Sequence, residues 1–278
     1  MKSNTINSDA VDGNTVSGDS TIESRILYRS DRYLVINKLP GESVEGVKLR
    51  ETAPGKSAMV DLPRLLSDIL SPQDHLGRSK KSGAPFPITA VNRLDVPVSG
   101  CALFARTPQA LAAANAQFRT GTADRHGELP IEKRYWAIIE PPGDPAVLAD
   151  SGELVHWIAH DKQHNKSAAF DTPAPDRKKG ILRYRLSGRG ERYLFLEIEL
   201  ITGRHHQIRA QLAALGIHIK GDLKYGAKRS EKAGGIRLHA RSLAFSDPGA
   251  VGKNGAGSIQ VIAPPPVMDP LWAAFSEA

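Results

Sequence analysis

The sequence predicts an α+β fold, a mixed and mainly antiparallel sheet flanked by helices. Three observations predict it. Short β-branched or alternating apolar segments recur along the chain and read as strands. Helical segments lie among them without the regular strand–helix–strand order of a doubly wound sheet. One segment, Tyr193–Ile201, alternates cleanly: Leu194, Leu196, Ile198 and Leu200 against Tyr193, Phe195, Glu197 and Glu199, the period of a strand with one buried face.

The elements follow in order. Residues 1–24 carry few apolar side chains and are expected to form a disordered, acidic and polar tail. The folded domain is expected over residues 25–278, with strands at Ile26–Tyr28 and Tyr33–Lys38 and a turn at Pro40-Gly41. Val60, Leu62, Leu65, Leu66, Ile69 and Leu70 have the spacing of a short amphipathic helix over 59–70. Residues 71–87, rich in Pro, Gly, Ser and Lys, read as a loop. Its Arg78, Lys80 and Lys81 suit either phosphate contact or plain solvation. Cys101–Ala105 is an apolar run expected to be buried on both faces. Thr107-Pro108 caps an Ala-rich helix to about Phe118. Lys133–Ile139 is the next strand. After Tyr193–Ile201 a helix runs from about His205 to Leu215, with Ile208, Leu212 and Leu215 as its stripe and Gly216 at its C-terminal cap. Strands near Arg237–Phe245 and Ser258–Ile262 close the fold.

Composition narrows the function classes. The 278 residues are 40% hydrophobic and 24% charged, ordinary for a globular protein with a sizeable core. No apolar run reaches the roughly 18–20 residues that span a bilayer, and the N-terminus has no signal-peptide core. Cys101 is the only cysteine, so no internal disulfide forms. A cytoplasmic protein with no membrane partner is the expectation. Net charge is +7, and residues 1–24 hold Lys2 against Asp9, Asp12, Asp19 and Glu23, which is −3 and leaves +10 on the rest. A basic body suits a polyanionic partner.

Two segments carry chemistry. In Asn92-Arg93-Leu94-Asp95-Val96-Pro97-Val98-Ser99-Gly100, a carboxylate stands at the entrance to a buried strand, a candidate nucleophile or base. The plainer reading is an Arg93–Asp95 ion pair. In Thr202-Gly203-Arg204-His205-His206-Gln207-Ile208-Arg209, a strand meets a helix N-terminus. Such an end favours an anion, and Arg204 and Arg209 add charge. The plainer reading is a corner with surface arginines.

Together these segments resemble the RluA-type family of pseudouridine synthases, whose motifs read His-Arg-Leu-Asp-x-x-Thr-Ser-Gly and Thr-Gly-Arg-x-His-Gln-Ile-Arg. The likeness extends in order through Asn37-Lys38-Leu39-Pro40-Gly41, Lys133-Arg134-Tyr135-Trp136-Ala137, Gly221-Asp222-Leu223-Lys224-Tyr225-Gly226 and Leu238-His239-Ala240, from about residue 26 to 276. It implies the pseudouridine synthase fold with a central basic cleft, acting on rRNA or tRNA as a monomer without cofactor or metal. It implies Asp95 as nucleophile, Tyr135 as the tyrosine that stacks on uracil and joins in proton transfer, and Arg209 as the partner of Asp95. Arg93 would fill the gap left by the flipped base, Ile208 would line the uracil pocket, and Arg204 would bind substrate. Attack at C1′ and attack at C6 both suit these residue types. A nucleophilic carboxylate has to stay ionised, and an Arg within ~4–6 Å typically lowers an Asp pKa by ~1–3 units.

The sequence departs from the family at Asn92, where His is usual, at Val98, where Thr is usual, and at Leu39-Pro40. No S4-like domain is expected before the first strand. A catalytically silent RNA-binding or assembly factor on the same fold is the alternative. A carboxylate glycosidase needs a second acid, and the motif segments flanking Asp95 and Arg209 offer none. His156, His160 and His164 recur every four residues, but no acidic or Cys set completes a metal site. Cys101 is read as core. Lys178-Lys179 and Lys228-Arg229 suit phosphate contact and solvation equally.

Overall fold

The computed structural model describes residues 21–46, 59–70, 86–120, 131–252 and 255–276. The fold is α+β, built on a mostly antiparallel eleven-stranded sheet. Its strands begin with β1 (Ile26–Arg29) and β2 (Tyr33–Lys38). A small parallel pair, β3 (Glu42–Ser43) and β4 (Val60–Asp61), leads into helix α1 (Leu62–Ile69). β5 (Thr89–Ala90) and β6 (Ser99–Ala105) precede α2 (Pro108–Thr120) and β7 (Glu132–Ile139). Four antiparallel strands follow, β8 (Ser151–Asp161), β9 (Lys166–Phe170), β10 (Lys178–Arg189) and β11 (Leu194–Leu200). Then come α3 (Gln207–Ala214), β12 (Leu238–Gly252), β13 (Gly255–Ile262) and α4 (Pro270–Ser276). The sheet order is β1-β2-β6-β12-β7-β11-β10-β8-β9, with β13 on β12 and β5 on β6.

The sheet is buried on both faces at its centre. On β7, Tyr135, Ala137 and Ile139 join the main core, which also holds Ile208 and Leu212 of α3. Trp136 and Ile138 point the other way and pack against Trp272 and Phe275 of α4. β6 is buried along its whole length, as its apolar run predicts. Cys101 lies on its α2 side among Tyr33, Val35, Ala110 and Ala114. Burial pushes its thiol up to about 12, as fits an inert core residue.

The ends of the helices obey local chemistry. Asp61 accepts the Arg64 N–H and caps α1. At the end of α3 the Gly216 N–H bonds the Ala213 carbonyl, and the Ile217 N–H bonds that of Leu212. With Gly216 at φ +70° this is a Schellman cap.

Some expectations change. Ile22–Arg25 forms a 3-10 turn with Ile22 buried, so ordered chain begins before the expected boundary at residue 25. Residues 1–20, and the loop with Arg78, Lys80 and Lys81, lie outside the described residues. His156 and His160 belong to strand β8, a stretch to which the sequence assigned no element. Phe195 is buried although the alternation of β11 assigns it to the solvent face, because α4 covers that end.

Candidate active site

The Asp95 segment is built by its backbone. The Val98 N–H donates to the Asp95 carbonyl at 2.9 Å and closes a turn around Val96-Pro97. That turn is tied down from outside. Lys38 is fully buried, and its ammonium donates to the carbonyls of Leu39 and Val96 at 3.0 Å and to that of Val98. The Gly41 N–H reaches the Val96 carbonyl at 2.8 Å, and the Ile236 N–H reaches that of Pro97 at 3.1 Å. Burial pushes Lys38 down to about 7, against the pull of Glu42 and Asp95. Glu42 in turn takes both Arg25 nitrogens, at 2.8 and 2.9 Å, and the Leu39 N–H at 2.7 Å. The segment ends in Gly100, at φ +111°, where an added Cβ would stand 2.3 Å from the Ala240 carbonyl oxygen. Only glycine lets β6 run this close to β12.

α3 brings the second half. Arg209 is its third residue and is 4% exposed. Its Nη1 donates to Asp95 Oδ2 at 3.0 Å. Its Nε and Nη2 donate to the two oxygens of Asp222, at 2.7 and 2.8 Å, a planar two-point match. Its guanidinium carbon lies 4.7 Å from the centre of the Tyr225 ring. Burial works against the guanidinium charge, but Asp222 and Asp95 outweigh it and raise the Arg209 pKa. Thus a side chain of the first turn, not free helix N–H groups, holds the Asp95 carboxylate.

His206 stands just before α3 in the left-handed region, at φ +52° and ψ +27°. A non-glycine residue there costs roughly 1–2 kcal/mol. Its ring is pinned by Tyr225, whose hydroxyl lies 2.9 Å from Nδ1, and stacks on His205 at 3.8 Å. His205 stacks on His160 at the same distance. His206 Nε2 is 3.7 Å from Asp95 Oδ2. Burial first, then Arg209, pushes His206 down to about 2, so the ring is neutral.

Tyr135 sits on β7 between Ile198 of β11 and Ala240 of β12. It is 5% exposed, and its hydroxyl has no hydrogen-bond partner among the described residues. Burial, then the Asp95 charge, raises the phenol far above its ordinary range. Asp95, Tyr135, Arg209, Ile208, Arg93 and Arg204 all line one cavity of about 780 Å³. Arg93 is at its mouth, 55% exposed and 3.5 Å from Glu45. Arg204 is exposed, with Nε bonded to the Lys179 carbonyl at 2.9 Å.

The profile of the family described as RNA pseudouridylate synthase matches residues 32–214. The chain belongs to that family. The tRNA pseudouridine synthase C of Haemophilus ducreyi is 28% identical over 247 residues, covering 82% of this chain and 87% of that one. The ribosomal large subunit pseudouridine synthase C of Vibrio parahaemolyticus is 25% identical over 233 residues, covering 82% and 62%. The chain spans about half the length of other curated relatives, 47% of one from Bacillus subtilis and 48% of two from mycobacteria. Among solved structures, the human RNA pseudouridylate synthase domain containing 4 superposes with a TM-score of 0.61 at 19% identity, covering 92% of this chain and 93% of that one. That likeness speaks for the fold.

Two of the departures from the family motifs, Asn92 and Val98, have structural work. Asn92 is buried, donates to the Cys101 carbonyl at 3.2 Å and accepts the Leu103 N–H at 2.7 Å. It thereby joins the Asp95 segment to β6. Val98 is buried in the main core. Sequence reasoning gave no role to Lys38, His206, Asp222 or Tyr225. All four lie within the quoted motifs, which was the one signal available. Among the described residues no group of metal-ligating side chains forms, and no helix is long and apolar enough to cross a membrane.

Proposed function

We propose that this chain is an RNA pseudouridine synthase that isomerises uridine in rRNA or tRNA, with Asp95 as nucleophile on a flipped-out base. The observation that carries this reading is the Asp95–Arg209 pair at 3.0 Å in the cavity that Tyr135 also lines. Both contacts of the carboxylate fall on Oδ2, from Arg209 and from the neutral His206. Oδ1 is left uncommitted among the described residues, and the side chain keeps 22% exposure toward the cleft.

Extruding the uridine costs a few kcal/mol. Arg93, at the mouth, fills the gap left in the helix, and Arg204 meets the RNA on the far side. Ile208 and the Tyr135 ring hold the uracil. The N1–C1′ bond then breaks, the ring turns, and C5 bonds to C1′. C5 releases one proton and N1 gains one, so neither oxidant nor cofactor is required. Tyr135 serves with its proton in place, because a phenol raised by burial and by Asp95 is not a phenolate near neutral pH. The chain is proposed to act as a monomer, and an unpaired buried thiol at Cys101 is in keeping with the cytoplasm.

The test is to incubate the protein with total rRNA and tRNA from a strain lacking it and to map pseudouridine. New pseudouridine at a defined site is expected. No gain at any site, with folded protein, refutes the reading. The Asp95→Ala variant separates catalysis from a silent assembly role, since full biological complementation by it would favour the latter.

A further inference from the structure

We infer that Lys133, Phe118 and Arg204 form an anion subsite beside the uridine pocket that takes a phosphate of the RNA strand. The inference rests on the reading above, that the cleft receives RNA. Lys133 lines the same cavity as Asp95, together with Phe118, Asn115, Gly203 and Arg204. It is 7% exposed, yet its ammonium makes no hydrogen bond and no ion pair among the described residues. It lies 5.2 Å from the centre of the Phe118 ring and 3.8 Å from where a Cβ on Gly203 would stand.

A buried, unpaired cation is costly. Burial, then the like charge of Arg204, pushes Lys133 down to about 8. Two cations thus crowd one corner of the cleft with no described carboxylate to separate them. A phosphate entering between them would relieve both. Its oxygens would take up the free N–H donors of Lys133, and its charge would remove the repulsion. The location fits the substrate. Lys133 and Tyr135 are two apart on β7 and share a face, so their backbones are about 6.4–6.8 Å apart. A base held at Tyr135 therefore carries its ribose phosphate toward Lys133. Phe118 closes the corner with an apolar ring that strengthens the charge interaction by excluding water.

The experiment measures binding of the full chain to unfractionated tRNA and rRNA between 50 and 200 mM salt. Losing one phosphate contact lowers the slope of log affinity against log salt by about 0.7–0.9. Lys133→Met is expected to show that drop, with weaker binding at each salt and a Tm equal to or above wild type, since it removes a buried unpaired charge. Lys133→Arg is expected to retain the slope. Arg204→Gln, on an exposed side chain that does not threaten folding, is expected to lower the slope by a similar amount. An unchanged slope in either neutral variant overturns the inference, as does a wild type with no salt-dependent RNA binding. A Lys133→Met protein with a lowered Tm and unaltered slope marks a merely structural lysine and overturns it too. Turnover is not read here, so a failure to form pseudouridine would sink the preceding reading without moving these slopes.

Discussion

Two aspartates share Arg209, and exchanging each for Asn tests the proposal that Asp95 does the chemistry while Asp222 is structural. Asp222 is 1% exposed and receives two charged hydrogen bonds, at 2.7 and 2.8 Å. Asp95 is 22% exposed at its side chain and receives one, at 3.0 Å. Breaking a buried ion pair typically costs about 3–5 kcal/mol. In Asp222→Asn the amide oxygen still accepts one bond and Asp95 still offsets the guanidinium, so about 2–4 kcal/mol is expected. Asp95→Asn loses one partly exposed contact while Asp222 stays in place, so about 1 kcal/mol or less is expected.

For a chain of this size each kcal/mol moves Tm by roughly 2–4 °C. Asp222→Asn is thus expected to lower Tm by roughly 4–16 °C, and Asp95→Asn by less than about 4 °C. Turnover on the mapped RNA is expected to run in the opposite order. Asp95→Asn abolishes it. Asp222→Asn loses about 10²-fold or less in kcat, the scale of a small misplacement of a positioned group. Calorimetry and single-turnover pseudouridine assays read the two quantities separately. Equal destabilisation by both variants, or turnover by Asp95→Asn, refutes the division of labour.

Further outcomes follow from the same geometry. Lys38→Met removes the donor that ties the carbonyls of Val96 and Val98 in the Asp95 segment to that of Leu39, and is expected to cost about 2–4 kcal/mol in urea denaturation and to lower kcat more than it raises KM. Tyr135→Phe keeps the ring, so KM is expected to stay within about threefold while kcat falls by about 10²-fold or more, as for loss of a proton-transfer group. Gly100→Ala forces a Cβ onto the Ala240 carbonyl at a left-handed φ, and is expected to cost more than about 3 kcal/mol or to yield insoluble protein on expression. Burial pushes Glu231 up, but hydrogen bonds from Arg237 and Lys220 outweigh it and hold its pKa at about 2. Its stabilising share is therefore complete above about 4.5 and lost as pH falls toward 2. Urea midpoints measured from pH 6 to pH 2 are expected to fall less steeply in Glu231→Gln.

What the sequence made legible follows burial. β6 and β11 carry apolar periods strong enough to read directly, and Gly216 marks the end of α3 where the Schellman cap forms. Strands β8, β9 and β10 went unread because their inner face is partly polar. There α3 presents Gln207 and Gln211, 3% and 0% exposed, beside the apolar stripe at Ile208 and Leu212. Their amides bond the carbonyls of Ile181 and Leu154 and each other. An amphipathic pattern assigns such glutamines to solvent, and only the partner strands reveal that their polar groups are satisfied. The site behaves similarly. Asp95, Arg209 and Tyr135 stood out as chemical types in quoted motifs, whereas Lys38 shows its role only once the carbonyls of residues 39, 96 and 98 are seen to converge on it.

That convergence bears on how a single carboxylate is made ready. Asp222 fixes Arg209 in plane from one side, leaving one nitrogen for Asp95. The neutral His206 approaches the same oxygen, so both partners crowd Oδ2. A second cation in place of His206 would gather more positive charge around the carboxylate and blunt it in the nucleophilic role proposed for it. An imidazole kept neutral by burial and by Arg209 orients the group without that cost. The backbone beneath is held by Lys38 and Gly41, so the free oxygen and the Tyr135 ring face a common space before any substrate arrives. Such advance positioning shifts the cost of ordering the site from turnover to folding. That cost is visible in the fold as a left-handed His206 and a fully buried Lys38.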